Sequence, residues 1–545
     1  MKANVLMKCT LFLVLAGLLQ SVRAQLPAAE YQPGTAILTG DIKNFNPDQN
    51  LDIRCAAPNL IMMRTDPIFI QPDSSGHFRQ SVVLKYTTQV RVKIGKDYLY
   101  LLMSPDNQEY HLSIEANEKR SKMPIHISGP YAEINNSFNF KLKRLAVNMF
   151  VPTTCDLTPD QYKGKCLQDL NKINTENNSL PDICPEAKKL MELTNAFECL
   201  DNLCSCKYAI IYSRMQKDSL QRMEAFGLYK DFRLPDNYFD FLKEIPLNEP
   251  DALLCYNFSS AIPFPGYYDT YVDEDEYNKY ILANAPMSQE EKEMIKDFIA
   301  KKYTTDNYPK VNEVMAISMK YQYIYQKKRE KDLAELKKQL PLLTGEEHPI
   351  IMELADIRFA RFLFMDFKPL TPEYEAYYKQ SLTNPLCIAL LNDANDSMKP
   401  KKKTQPKAGF ILRENPDCAA DQVLNAIIEK NKGKIQLIDM WATWCGGCRQ
   451  TIKEYEPLKK DFPNVAFVYL TNETSPLELW KTLIPDIAGE HYRLGAEQWG
   501  YLWNRFKLQG VPYYLIIDEK GEIKDQFIYT NKKEVQKKLS ELVNR

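Results

Sequence analysis

Net charge is almost absent from this chain of 545 residues, where 70 lysines and arginines against 71 aspartates and glutamates leave -1. The balance removes any global field that would gather nucleic acid or an anionic surface, so no nucleic-acid partner is expected and binding is chosen locally. Histidine is scarce too: the five present show no metal-ligand spacing, and none occurs between His126 and His348. Neither a metal nor another cofactor is expected on that basis, and any zinc site in the long histidine-free stretch would be built from cysteine alone. Beyond the first residues there is no apolar run of the ~20 residues that a membrane-crossing helix needs. No internal repeat is evident, and the terminal "ELVNR" carries no retention signal.

What is present starts with "MKANVLMKCTLFLVLAGLLQSVRAQ": Lys2 and Lys8, an apolar run from Leu11 to Leu19, then Val22-Arg23-Ala24. This is the pattern of a cleavable secretory signal over residues 1–24, with an uncleaved anchor as the alternative, and it implies export to the periplasm. No cysteine sits at the expected cleavage point, against a lipid anchor. Cys9 leaves with the signal, and of the thirteen cysteines twelve remain in a compartment that permits disulfides.

With 44% apolar and 26% charged residues, the chain can build ordinary cores. From residue 30 to 130, short β-rich runs alternate with Asn, Asp, Pro and Gly turns, Asp73-Ser74-Ser75-Gly76 being the clearest, and a small antiparallel β-sandwich is expected. Residues 131–397 have helical texture. Thr158-Pro159-Asp160-Gln161 and Ser288-Gln289-Glu290-Glu291 are helix starts, Ile350, Leu354 and Ile357 keep a stripe, and Thr371-Pro372 opens another helix. Residues 398–408, rich in Lys and Pro with little to bury, form a linker, or alternatively a basic docking strip. Residues 409–545 alternate α and β: a helix from Ala420 to Lys430, the strand "KIQLIDM", a helix after Cys445, the strand "VAFVYL", a helical insert from Pro476 to Phe506, and a hairpin turning at Glu519-Lys520-Gly521. The whole reads as a multidomain α+β chain whose last sheet is mixed.

"WATWCGGCRQ" carries the chemistry. Cys445 and Cys448 are three apart, which on a helix puts their Cα atoms about 5 Å from each other, within disulfide range. So short a loop makes a weak staple. If Cys445 caps the helix, free backbone N–H groups and the positive end of the helix dipole stabilise its thiolate. Asp439, six residues earlier at the end of an apolar strand, is a buried carboxylate with a raised pKa that can exchange a proton with Cys448, or a satisfied structural aspartate. Trp444 is placed to shield the pair and offer an apolar platform, and Trp441 to pack in the core.

"LIDMWATWCGGC" together with "FKLQGVPYYLIIDEKGEI" resembles the thioredoxin superfamily, specifically its TlpA/ResA-like extracytoplasmic thiol-disulfide oxidoreductases, over about residues 408–545. The resemblance implies an exposed nucleophile at Cys445, a buried resolving thiol at Cys448 and a proton-handling Asp439. It also implies a cis Pro512 that lets the backbone of Val511 pair with an extended substrate. Three positions depart from the family's common pattern: Gly447 and Lys453 stand where prolines are common, and Thr451 where many members carry a Glu. The departures bear on potential and substrate choice.

The reading that follows is a disulfide reductase of exported client proteins, fed by a membrane thiol carrier of the DsbD/CcdA kind, and compatible with a homodimer. Its alternatives are an oxidase or isomerase, and a binding or scaffold protein with a regulatory redox domain. A peroxidase fits less well, because Ala442 stands where peroxide-reducing relatives place a Thr. Cys155, Cys166, Cys184, Cys199, Cys204 and Cys206 are expected to form two or three structural disulfides. Cys55, Cys255, Cys387 and Cys418 are scattered and read as single buried thiols.

Overall fold

The structure is a computed structural model that describes residues 26–47, 51–62, 67–116, 123–146, 152–218, 232, 234–259, 274–300, 313–314, 317–318, 320–347, 349–361, 364, 368–399, 406–508, 510–528 and 532–543. The signal segment and most of the lysine run lie outside these residues. The chain divides into two compact units, one of residues 1–264, 340–354 and 383–390, the other of 265–339, 355–382 and 391–545.

In the first unit, alternating residues build two four-stranded sheets from β1 (Gly34–Lys43), β2 (Ile53–Ala56), β3 (Ile68–Ile70), β4 (His77–Leu84), β5 (Thr88–Ile94), β6 (Asp97–Met103), β7 (Glu109–Glu115) and β8 (Ile125–Ser128). The orders are β4-β1-β7-β8 and β3-β2-β5-β6. Leu38, Val90, Val92, Leu101, Leu112 and Ile127 close the core between them, all fully buried. The Asp73–Gly76 turn forms as its residues dictate: the Asp73 carboxylate accepts from the N–H groups of Ser75 and His77, at 2.9 and 3.0 Å. Gly76 has φ +88°, a region costly for any side chain. The sandwich is not wholly antiparallel, because β1 runs parallel to β7 from Ile37↔Glu109 to Lys43↔Glu115. Alternation fixes which residues face the core, and carries no information about the direction of the neighbouring strand.

The edge strands β6 and β8 are closed by asparagines of α1 (Ala132–Asn136) and the π-helical turn Ser137–Lys141. Asn135 pairs with both the N–H and the carbonyl of Leu102 (2.7 and 3.2 Å), Asn139 with those of Tyr100 (2.8 and 2.9 Å), and Asn136 with those of Ile127 (3.1 and 2.6 Å). Each carboxamide offers one acceptor and one donor, as a strand residue would, so the open ladders are satisfied.

Helices α2 (Pro159–Ser179), α3 (Pro185–Cys204) and α4 (Cys206–Asp218) follow. Thr158 and Gln161 form the capping box that the sequence signals. The expected structural disulfides are not formed by Cys166, Cys184, Cys199 or Cys206, which remain free thiols. The Cys199 thiol meets the carbonyl oxygen of Cys166 at 3.6 Å rather than its sulfur. Burial pushes Cys166 up to about 11 and Cys206 to about 12, so neither ionises readily for exchange. An oxidising compartment permits disulfides but does not bring sulfurs together.

Helices α5 (Glu274–Asn284), α6 (Gln289–Ile299), α7 (Gln322–Thr344), α8 (Ile350–Phe359), α9 (Pro372–Ser381) and α10 (Pro385–Met398) continue the helical region. Ser288 and Glu291 form the second capping box, and Thr371 caps α9.

The last part of the chain comprises β9 (Phe410–Leu412), α11 (Val423–Glu429), β10 (Gln436–Met440), α12 (Gly446–Tyr455), α13 (Leu458–Asp461), β11 (Ala466–Asn472), α14 (Leu477–Leu483), β12 (Gly489–Leu494), α15 (Ala496–Arg505), β13 (Tyr513–Ile517), β14 (Ile523–Ile528) and α16 (Lys532–Val543). One mixed sheet results, ordered β14-β13-β10-β11-β12-β9, with β10, β11, β12 and β9 parallel and β13 and β14 antiparallel to their neighbours. Both faces of β10 are covered, since all five of its residues are buried. The insert from Pro476 to Phe506 is not all helix: Gly489–Leu494 is a strand. Its polar residues hide the strand in the sequence. Glu490 is matched by Arg413, both bonds 3.0 Å, and His491 Nε2 bonds the carbonyl of Ile487 at 2.9 Å.

Candidate active site

Strand β10 ends at Met440, and the chain turns through Trp441–Trp444 into α12. Trp441 is fully buried, whereas Trp444 is 43% exposed. Cys445 has extended backbone angles and is the N-cap of α12, with the N–H of Cys448 donating to its Sγ at 3.1 Å. The sulfur therefore sits at the positive end of a helix dipole, where negative charge is favoured. Cys445 and Cys448 are closed as a disulfide with Cα atoms 5.3 Å apart. The expectation that Cys445 is exposed needs correction: in this closed state the residue is 7% exposed, against 0% for Cys448. The loop containing Val511 lies against the first sulfur, but the asymmetry between the two cysteines remains.

The Val511–Pro512 bond is cis, and the carbonyl oxygen of Val511 lies 3.5 Å from Cys445 Sγ. The segment after β11 holds the turn that leads into Cys445. Thr474 Oγ1 accepts from Trp444 Nε1 at 3.1 Å, Ser475 Oγ accepts from the N–H of Thr443 at 3.0 Å, and Arg493 Nε donates to the carbonyl of Ser475 at 3.0 Å. These links fix the ledge that presents Trp444. Sequence reasoning missed them, although the polar cluster "TNETS", which closes a buried strand and runs on past it, is a usable signal.

Asp439 lies under α12 in a row of register partners crossing five strands: His491, Tyr469, Asp439, Tyr514 and Phe527. Tyr469 stacks on His491 at 4.9 Å and Tyr514 on Phe527 at 5.2 Å, leaving Asp439 as the one carboxyl group in this aromatic row. Its Oδ1 has no hydrogen-bond partner, and burial raises its pKa well above the usual carboxylate range, with Lys459 opposing. Burial also pushes His491 down to about 4, so it is neutral. Thr451, where a Glu is common in the resembling proteins, shares a 2.7 Å hydrogen bond with the Tyr514 hydroxyl and donates to the carbonyl of Cys448 at 2.9 Å. All six residues singled out from the sequence, Asp439, Trp444, Cys445, Cys448, Val511 and Pro512, thus belong to one domain, with Cys445 touching Cys448 and Val511. Among the described residues no three His, Cys, Asp or Glu side chains converge as a metal ion requires.

A family described as thioredoxin-like matches residues 433–523, the stretch that holds both cysteines and Pro512. The thioredoxin-like protein YneN of Bacillus subtilis is 31% identical over 115 residues, which cover 21% of this chain and 67% of that protein. The chain belongs to the thioredoxin-like family. Solved structures similar to this thioredoxin-like domain include a putative thiol:disulfide interchange protein DsbE from Chlorobium tepidum, at 18% identity over 21% of this chain and 84% of that one, TM-score 0.19. StoA from Bacillus subtilis aligns at 16% identity over 19% of this chain and 82% of that one, TM-score 0.16. A thioredoxin-like domain with a C-x-x-C pair closed at a helix N-terminus is equipped for thiol–disulfide exchange. No helix among the described residues is long and apolar enough to cross a membrane.

Proposed function

We propose that the chain is an exported, periplasmic thiol–disulfide oxidoreductase that reduces disulfides of client proteins, with Cys445 as nucleophile, Cys448 as resolving thiol and Asp439 as proton acceptor. The observation that carries the reading is the Cys445 sulfur at the N-cap of α12, accepting the Cys448 N–H at 3.1 Å. A thiolate there attacks one sulfur of a client disulfide, forming the Cys445–client bond while the other client sulfur leaves as a thiolate and takes a proton. Cys448 then gives its proton to Asp439, its sulfur attacks Cys445 Sγ, and the second client sulfur departs. The client ends with two thiols and the enzyme with the Cys445–Cys448 disulfide. A membrane thiol carrier of the DsbD/CcdA kind returns the two electrons.

Val511 offers its backbone to an extended client, and Trp444 offers apolar surface beside the sulfur. The β-sandwich and helices serve client binding or pairing of two copies. The test is reduction of insulin with dithiothreitol as electron source. Wild type turns over and Cys445→Ser does not; equal inactivity of both contradicts the reading. A reduction potential close to that of the strong oxidant DsbA, about -120 mV, would instead favour the oxidase or isomerase direction.

A further inference from the structure

Lysine is seldom buried without a partner, yet the side chain of Lys459 on α13 is only 11% exposed. Its Nζ donates to Glu456 at 2.7 Å and lies 5.2 Å from the ring centre of Tyr469 and 5.8 Å from that of Phe467. Tyr469 is the register partner of Asp439, so the ammonium stands against the aromatic band in which the carboxylate sits. Glu456 also accepts from Lys407, on its solvent side. The other titratable groups around Asp439 are Cys448 and Tyr455 on α12, Tyr469 on β11, Tyr514 on β13 and, behind Tyr469, His491 on β12. Burial favours the neutral form of Tyr469, Tyr514 and His491. Lys459 is thus the cation of this cluster, and Asp439 Oδ1 has no hydrogen bond to compensate a charge.

We propose that Lys459 is the positioning residue that lets Asp439 carry a negative charge when Cys448 must release its proton. The inference rests on the reading of Cys445 and Cys448 as a working dithiol. Lys459 touches neither client nor sulfur. Glu456 keeps the ammonium in place and favours its charged form against the burial that opposes it. In the resolving step the Cys448 proton passes to the Asp439 carboxylate, and the new Cys448 thiolate displaces the leaving sulfur from Cys445. Without the cation, Asp439 stays protonated to higher pH and cannot accept.

The experiment mixes the reduced full-length protein with dithiobis-nitrobenzoate. Attack by Cys445 releases one coloured thiolate, and resolution by Cys448 releases the second. The rate of the second release rises with pH as Asp439 ionises. In Lys459→Met its midpoint moves up by about one pH unit, so that below the midpoint the second release slows about tenfold while the first is unchanged. Lys459→Arg restores the wild-type midpoint, and Lys407→Gln leaves it in place. Lys459→Gln, which keeps a donor for Glu456, replaces the Met variant should that one not fold. An unmoved midpoint in the folded neutral variant overturns the proposal, as does an equal shift in Lys407→Gln. Absence of any second release from wild type overturns the dithiol reading itself.

Discussion

Replacing Asp439 with Asn perturbs a carboxyl group that is 4% exposed, lacks a partner at Oδ1 and has its pKa raised by burial. In the unfolded chain an aspartate ionises near pH 3.9, whereas in the fold this one holds its proton to higher pH. Between those two points the folded state binds more protons than the unfolded state, so wild-type stability falls as pH rises. The slope is about 1.4 kcal/mol per pH unit from roughly pH 4 until Asp439 itself ionises in the fold. A carboxamide at this position has no such proton to lose, and the variant lacks this slope. The comparison separates ionisation from packing, because a packing defect is equally large at pH 4 and pH 7. All five tryptophans, Trp441, Trp444, Trp480, Trp499 and Trp503, lie in the thioredoxin-like domain, so their fluorescence in urea follows that domain alone. Asp439→Asn should gain more than about 1.4 kcal/mol relative to wild type between pH 4 and pH 7, while resolution by Cys448 slows by roughly 100-fold or more. Parallel pH profiles for the two proteins, or an unchanged rate of resolution, would refute the assignment.

Cys448→Ser should accumulate mixed disulfides between Cys445 and clients, visible as bands lost on adding reductant, and Cys445→Ser should give none. Trp444→Ala removes an exposed ring held by Thr474, and the expected result is KM for a protein disulfide raised about tenfold with kcat little changed. A fall in kcat alone would place Trp444 in the chemistry instead. Asn135→Ala leaves the N–H and carbonyl of Leu102 on the buried edge of β6 without partners. It should destabilise the first unit by on the order of 2–4 kcal/mol in urea, read by far-ultraviolet circular dichroism.

Much of the site is legible in the sequence because its chemistry is local. Trp444-Cys445-Gly446-Gly447-Cys448 sets the sulfur spacing and the cap, and Asp439 stands out as a charge in an apolar strand. The two helix starts at Thr158 and Ser288 are equally local, a hydroxyl and its partner three residues on. What escapes depends on contacts between distant residues. Lys459 reads as a surface lysine on a short helix, and only the fold sets it against Tyr469. Strand Gly489–Leu494 is masked by Glu490 and His491, whose partners Arg413 and Ile487 make a buried polar strand tolerable. The parallel pairing of β1 with β7 is invisible to alternation. Cys166, Cys184, Cys199 and Cys206 show the converse error, in which composition suggests bonds that the packing of α2, α3 and α4 does not make.

The most direct measurement is the pH dependence of alkylation in the reduced full-length protein, with the modified cysteine identified by mass spectrometry. Cys445 should react first, with a midpoint below the ~8.5 of an ordinary thiol, and Cys448 should be protected at neutral pH. Preferential modification of Cys448, or a Cys445 midpoint at or above that of a free cysteine, would contradict a stabilised thiolate at the start of α12.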